Sequence, residues 1–228
     1  MAAGRTIAIG DMHGCARALR ALLAVIDLHS QDVLIPLGDY IDHGPDSRGV
    51  IDHMLTAAER CRVIPLLGNH EQMLLAALMG RPTLGWLECG GKATLDSYRF
   101  LGNVETFPRE HLAFLRSCRN YHETESHIFI HAGYRASLPM DRQPSRALLW
   151  EFLGERPLEA HCSGKVAVVG HTPQTNGEVL DLAFLKCIDT GCHSGGWLTA
   201  LDVESGQVWQ ANERGQVREL VTVSRSWV

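Results

Sequence analysis

The chain has 228 residues, 45% of them hydrophobic and 21% charged: enough apolar material for one domain over 1–228 and too little length for two independent ones. A net charge of −5 provides no basic footprint and argues against a nucleic-acid partner. No run approaches the ~20 apolar residues of a membrane span, and the N-terminus lacks a charged region followed by a long apolar core. The cysteine count is odd, at seven, with no C-x-x-C pair, which reads as reduced thiols in a cytoplasmic protein. Cys187 and Cys192 near His193 hint at a soft metal site, but their spacing matches no zinc pattern.

Residues 5–9 read as a short buried strand ending at Gly10, and 16–28 carry Leu19, Leu22, Leu23 and Ile26 at helical spacing. A second strand, DVLIPLGD, leads through Pro45-Asp46-Ser47 into a helix bearing Val50, Ile51, Met54 and Leu55. A third strand over 62–67 precedes a helix over 71–79. This β-α-β-α-β-α series predicts parallel strands joined by crossovers. Residues 83–118 read as helical, with a break at Gly90-Gly91. Strands then follow at 127–131, 165–170, 178–181, 184–189, 197–203 and 207–211, the last two as a hairpin. An irregular insert over 134–163 holds one helical piece near RALLWEFL. There is no internal repeat and no low-complexity linker. The order predicts two packed sheets with helices outside.

Five strands end in polar residues beside glycine: GDMHG, GDYIDHG, GNHE, HAG and GHT. Ligands of open α/β sheets bind beyond the carboxyl ends of strands, so these ends are candidates to converge. Asp11, His13, Asp39, Asn69, His131 and His171 provide a mixed nitrogen and oxygen donor set. It suits manganese, iron or zinc and suits calcium poorly. Six donors exceed the needs of one structural metal and match two cations sharing a bridging carboxylate, a pair roughly 3.5–4 Å apart. Each cluster alone has a plainer reading: an Asx turn, a satisfied core histidine or a helix cap. Their joint occurrence in this order carries the argument.

The ordered motifs resemble those of the metal-dependent phosphoprotein phosphatase family, within the calcineurin-like metallophosphoesterases, over residues 7 to about 202. The resemblance implies an α/β fold, a four-layer α-β-β-α sandwich of two mixed sheets. It also implies Asp11 and His13 on a first metal, Asp39 as bridge, and Asn69, His131 and His171 on a second. His70 then corresponds to a general acid oriented by Asp42, while a metal-bridging hydroxide attacks phosphorus. Glu71 reads as a helix-starting carboxylate favoured by the dipole.

This chain departs from the family where an arginine usually binds the substrate phosphate: here the residue is His43. Many bacterial relatives carry a further arginine after LLW, where this chain has Glu151 and Phe152. Arg48, Arg135 and Arg146 are the nearby substitutes. The implied activity is a two-metal phosphomonoesterase acting on phosphoserine, phosphothreonine or phosphotyrosine in a phosphorylated protein or peptide. A dinucleoside tetraphosphate hydrolase is the rival within the superfamily; that branch resembles GDLVARG and GNHD at these positions, and Asp42 with Glu71 favours the phosphatase side. A weakly active phosphoprotein-binding relative is the alternative of a different class.

Overall fold

Ile7, Ala8 and Ile9 are fully buried, because their strand (β1, Thr6–Ile9) is covered on both faces. Ile7 and Ile9 face one apolar cluster and Ala8 another, the two-residue alternation of a strand between two layers. Beyond it, α1 (Ala16–Ile26) leads to β2 (Val33–Pro36), α2 (Ser47–Arg60) and β3 (Arg62–Val63). β2 pairs in parallel with both β1 and β3, as the crossovers require. The computed structural model describes residues 4–100 and 106–220.

α1 buries Ala18, Leu19, Leu22 and Ile26 against the first sheet and ends where Asp27 turns left-handed, with φ 46°. α2 begins at the expected signal: the Asp46 carboxylate accepts from the Gly49 amide at 2.8 Å. Next come α3 (Asn69–Leu78), α4 (Leu84–Trp86), a five-residue π-turn over Leu87–Gly91, α5 (Lys92–Ser97) and α6 (Arg109–Ser117). The break expected at Gly90-Gly91 is this turn, where Gly90 has φ 95°. Part of the expected helical stretch, 101–105, lies outside the described residues.

The second sheet is built from β4 (Tyr121–Glu123), β5 (His127–Ile130), β6 (Val166–Val169), β7 (Leu180–Asp181) and β8 (Leu185–Cys187), in the order β4-β5-β6-β8-β7. α7 (Ser145–Leu149) packs Leu148 and Leu149 against the outer face of this sheet, on Ile128, Ile130, Ala167 and Val169. Phe129 and Val168 point the other way, onto Ile35, Leu37, Ile64 and Leu66 from the first-sheet half, so one apolar layer lies between the sheets. The outer helical layer on this side is thin.

The chain then returns to the first sheet as β9 (Asp189–Thr190), β10 (Trp197–Asp202), β11 (Val208–Ala211) and β12 (Val217–Leu220). The order there is β12-β11-β10-β1-β2-β3, with β9 on β10. The single strand expected over 184–189 is thus two. It changes sheets at buried Ile188 and delivers the 191–195 turn to the carboxyl ends of the strands. Expected strand 62–67 forms a regular ladder only at 62–63, although the Ile64 and Leu66 amides still donate to the Leu34 and Pro36 carbonyls; Pro36 in β2 has no N–H to return. The short strands β4 and β12 had no alternation strong enough to predict them.

Among the described residues no helix is long and apolar enough to cross a membrane. All seven cysteines are free. Cys187 sits in the core of the second sheet and Cys192 in that of the first, so the pair forms no soft-metal site with His193.

One ion pair ties the start of β1 to the loop before β2. Asp32 accepts from the Arg5 amide at 3.0 Å, Arg5 Nη2 at 2.5 Å and the His29 amide at 2.9 Å. Burial pushes the Asp32 carboxyl up, but the Arg5 and His29 hydrogen bonds outweigh it and hold it at about 2. A depressed carboxylate stabilises the fold above its unfolded value near 4, and that contribution fades as pH falls towards 2. Allowing for solvent screening of half-exposed Arg5, Asp32→Asn is expected to lose about 1–2 kcal/mol at pH 7. Urea titrations of both proteins check this: the gap should close between about pH 4 and pH 2. A pH-independent gap would assign the loss to packing.

Candidate dinuclear metal centre

Asp11 and His13 follow β1, Asp39, Asp42 and His43 follow β2, and Asn69 and His70 open α3. His131 follows β5 and His171 follows β6. The carboxyl ends of four strands and one helix start therefore meet in one place. Eight non-glycine residues among those described have positive φ, and five are here: His13, Asp39, Asp42, His43 and His171. Such conformations cost free energy and persist where the surroundings over-determine them. The turns also pack too closely for side chains. A Cβ on Gly170 would lie 2.1 Å from Asp11 Oδ1, and one on Gly38 would lie 2.6 Å from the Gly68 nitrogen.

His131 Nδ1 donates to the Leu37 carbonyl at 2.9 Å, and burial holds the ring neutral by pushing its pKa well down. Its Nε2 is therefore a bare lone pair. That lone pair faces Asn69 Oδ1 at 2.9 Å, His171 Nδ1 at 3.2 Å and Asp39 Oδ2 at 3.5 Å. Turning the Asn69 amide over would satisfy the first contact and leave the others. A His171 proton on Nδ1 would satisfy the second, but the His131 lone pair would still face the Asp39 carboxylate; donors converging on one point with so few protons between them suit a cation.

A second group adjoins it. His13 Nδ1 donates to the Ile41 carbonyl at 2.9 Å, leaving Nε2 3.4 Å from the same Asp39 Oδ2. Burial, then the neighbouring His70 and His193, push His13 well down, so it too is a neutral ligand. Asp11 Oδ2 accepts from the His171 amide at 3.0 Å, while Oδ1 is buried with no hydrogen-bond partner. Burial, Asp189 and Asp39 push the Asp11 carboxyl well above the usual range, and burial does the same to Asp39. Positive charge between these carboxylates would relieve both. The residues present fit two divalent ions, with Asp39 between the groups.

His70 stands beside this set. Its Nδ1 is 2.7 Å from Asp42 Oδ2, and its Nε2 is 3.9 Å from Asp39 Oδ2. Burial opposes charge on the ring, but Asp39 and hydrogen-bonded Asp42 outweigh it and raise the pKa to about 9. Asp42 is fully buried and also accepts from Trp86 Nε1 at 2.8 Å and Thr94 Oγ1 at 2.6 Å. Sequence reasoning missed Trp86 and Thr94; the only signal was their place beside the Gly-Gly break.

Glu71 does more than start a helix. Fully buried at the third position of α3, it accepts from the amides of Asp39 (2.8 Å), Tyr40 (2.9 Å) and Gly68 (3.0 Å). Two strand-end turns thus hang on one carboxylate. Glu71→Ala leaves three buried amides unpaired and is expected to cost about 3 kcal/mol or more. Glu71→Gln keeps an acceptor oxygen and should lose roughly half of that. Denaturant midpoints of the two variants check the ranking; equal losses would assign the effect to side-chain volume.

Of the proposed phosphate contacts, only His43 reaches the cluster, with its ring centroid 4.8 Å from that of His13. Arg135 is bound through both nitrogens to Glu151, with Nη2 at 2.6 Å, and exposed Arg146 lies 3.7 Å from the same carboxylate. Both guanidiniums are drawn to the acid that follows Trp150. Arg48 lies in the first turn of α2 near Ser97 and Tyr98, and among the described residues no hydrogen bond or ion pair joins it to the cluster. Phe152 stacks on His171 at 4.5 Å, walling one side of the site.

The calcineurin-like phosphoesterase pattern matches residues 4–196, most of the chain. The chain belongs to that family. It is 30% identical to serine/threonine-protein phosphatase 1 of Salmonella typhimurium, over 86% of this chain and 90% of that protein. It is 45% identical to a symmetrical bis(5'-nucleosyl)-tetraphosphatase of Acidovorax sp., but over 32% of this chain and 25% of that protein. The structure of a cold-active protein-tyrosine phosphatase from a psychrophilic Shewanella superposes with a TM-score of 0.68, covering 96% of this chain and 81% of that one at 19% identity. The two mixed sheets flanked by helices of this chain match the fold of that structure, and phosphoester hydrolysis is the chemistry of the calcineurin-like family.

Proposed function

We propose that this phosphoesterase hydrolyses phosphomonoesters on serine, threonine or tyrosine of proteins or peptides. Asp11 and His13 would hold one ion and Asn69, His131 and His171 the other, with Asp39 shared between the two groups and manganese the metal of choice. Two bound divalent ions would polarise the phosphoryl oxygens and supply a nucleophile at neutral pH. His70, kept protonated and aimed by Asp42, donates its Nε2 proton to the leaving oxygen.

The His70–Asp42 dyad carries this reading. The alkoxide of a serine or threonine is strongly basic and leaves poorly without a proton. A nucleotide phosphate expelled from a dinucleoside tetraphosphate is weakly basic and hardly needs one. A buried carboxylate dedicated to keeping an imidazole charged therefore suits monoesters of alcohols better than anhydrides. The likeness to the Salmonella phosphatase along nearly the whole of both chains supports the same choice.

A substrate panel with added manganese tests it. Phosphopeptides should exceed dinucleoside tetraphosphates in kcat/KM by about ten-fold or more. The reverse order would assign the protein to the anhydride branch, and phosphopeptide binding without turnover would make it a binding protein.

A further inference from the structure

A second imidazole lies at the mouth of the site where no role has been assigned. His193 sits on the Cys192–Ser194 turn, where the chain has just crossed between sheets. Gly191 (φ 69°) and Gly195 (φ 90°) bracket this turn, and the buried Cys192 side chain anchors it in the core. His193 stacks on His43 with centroids 4.5 Å apart and planes 15° from parallel. Both rings stand edge-on to His13, at 4.7 and 4.8 Å. His43 is fixed from below: its amide donates to the Gly90 carbonyl at 3.3 Å, and a Cβ on Gly90 would fall 2.8 Å from its Nδ1. Two rings are therefore held in parallel by unrelated turns. Among the described residues the His43 ring makes no hydrogen bond through its nitrogens, and the only one at the His193 ring is with its own backbone.

Ligating nitrogens of His13, His43 and His193 lie within 4.8 Å of one another, so a third cation is the first ligand to weigh. The geometry opposes it. His13 Nδ1 is committed to the Ile41 carbonyl, and its one lone pair, on Nε2, already faces Asp39. A lone pair serves one ion. Stacked planes also direct the lone pairs of His43 and His193 side by side rather than onto one point. Every imidazole keeps at least one N–H whatever its charge, so with matching tautomers, or with both rings protonated by a bound anion, the pair provides two parallel donors. That is the complement of a tetrahedral oxyanion.

We propose that His193, paired with His43, forms a two-donor clamp for the non-bridging oxygens of the substrate phosphoryl group, beside the ion held by His13. The proposal rests on reading the site as a metal-dependent phosphoesterase, but not on whether the natural substrate is a protein.

Inorganic phosphate as a competitive inhibitor of the manganese-loaded enzyme is the probe, with p-nitrophenyl phosphate as the reporter substrate. His193→Phe keeps the stacked ring and removes the donor. It should raise both the phosphate Ki and KM about ten-fold, the loss of one hydrogen bond, and leave kcat and two metal ions per chain nearly unchanged. His43→Arg alone should give no gain, because the guanidinium meets the His193 ring. In the His193→Val background the same change should restore the phosphate Ki to near wild type. If His193→Phe folds poorly, His193→Gln, which retains a donor, is expected to keep Ki within about three-fold. An unchanged Ki in His193→Phe overturns the clamp. Loss of metal with an unchanged Ki on reloaded enzyme overturns it too, and makes the pair metal ligands. Should turnover be absent, calorimetric titration of phosphate into the metal-loaded proteins gives the same ranking. A substrate panel that favours dinucleotides leaves this test intact.

Discussion

His70→Asn is expected to depress kcat on phosphoserine peptides by roughly 10²–10⁴, the usual contribution of a positioned general acid. The ring's Nδ1 is engaged at 2.7 Å by a fully buried carboxylate that two further donors, Trp86 and Thr94, hold in place. Asparagine fills part of that space and can still meet Asp42, but it has no proton to deliver at the Nε2 position. Metal content should hardly change, since His70 is outside both proposed ligand groups. The decisive comparison uses the leaving group. The loss should be large for serine phosphates and much smaller for p-nitrophenyl phosphate, whose phenoxide leaves almost unaided. Equal losses on the two substrates would remove His70 from the acid role and make it an electrostatic neighbour of the phosphoryl group.

The second large effect is expected at Asp39. Its Oδ2 lies 3.4 Å from His13 Nε2 and 3.5 Å from His131 Nε2, between the two groups of donors. Asp39→Asn replaces a shared anion by a neutral amide, and either orientation brings an NH₂ against the His70 amide or against the cations. Affinity for both ions should fall beyond the 10–100-fold typical of losing an outer-shell partner. The backbone need not collapse, because Glu71 still holds the residue's amide. Metal analysis after desalting should find about two ions per wild-type chain and fewer than one in the variant. A wild-type protein that never exceeds one ion under metal-replete conditions would end the dinuclear reading.

The convergence of the proposed ligands was legible because it is written locally. Each proposed ligand follows an apolar run and lies within two residues of a glycine, so the strand pattern brought out the six proposed ligands without knowledge of their distances. The two-sheet architecture was legible for the same reason: β1, β2, β5 and β6 are short apolar runs whose neighbours need crossovers.

What sequence alone left undecided depends on contacts between distant positions. Trp86 and Thr94 reach Asp42 across 44 and 52 residues, and nothing near either one advertises a carboxylate. Glu71 looked like a helix start because its capping role is local, while its hold on Asp39 and Tyr40 exists only once β2 and α3 are side by side. Arg135 and Arg146 were plausible phosphate ligands until Glu151 came within reach of both. His193 became part of the site only because the chain changes sheets at Ile188, a choice made by which core takes up that residue. Local patterning determined the donors, and tertiary packing decided their partners: a side chain's type is encoded at its own position, whereas the charge and space around it are set by the whole fold.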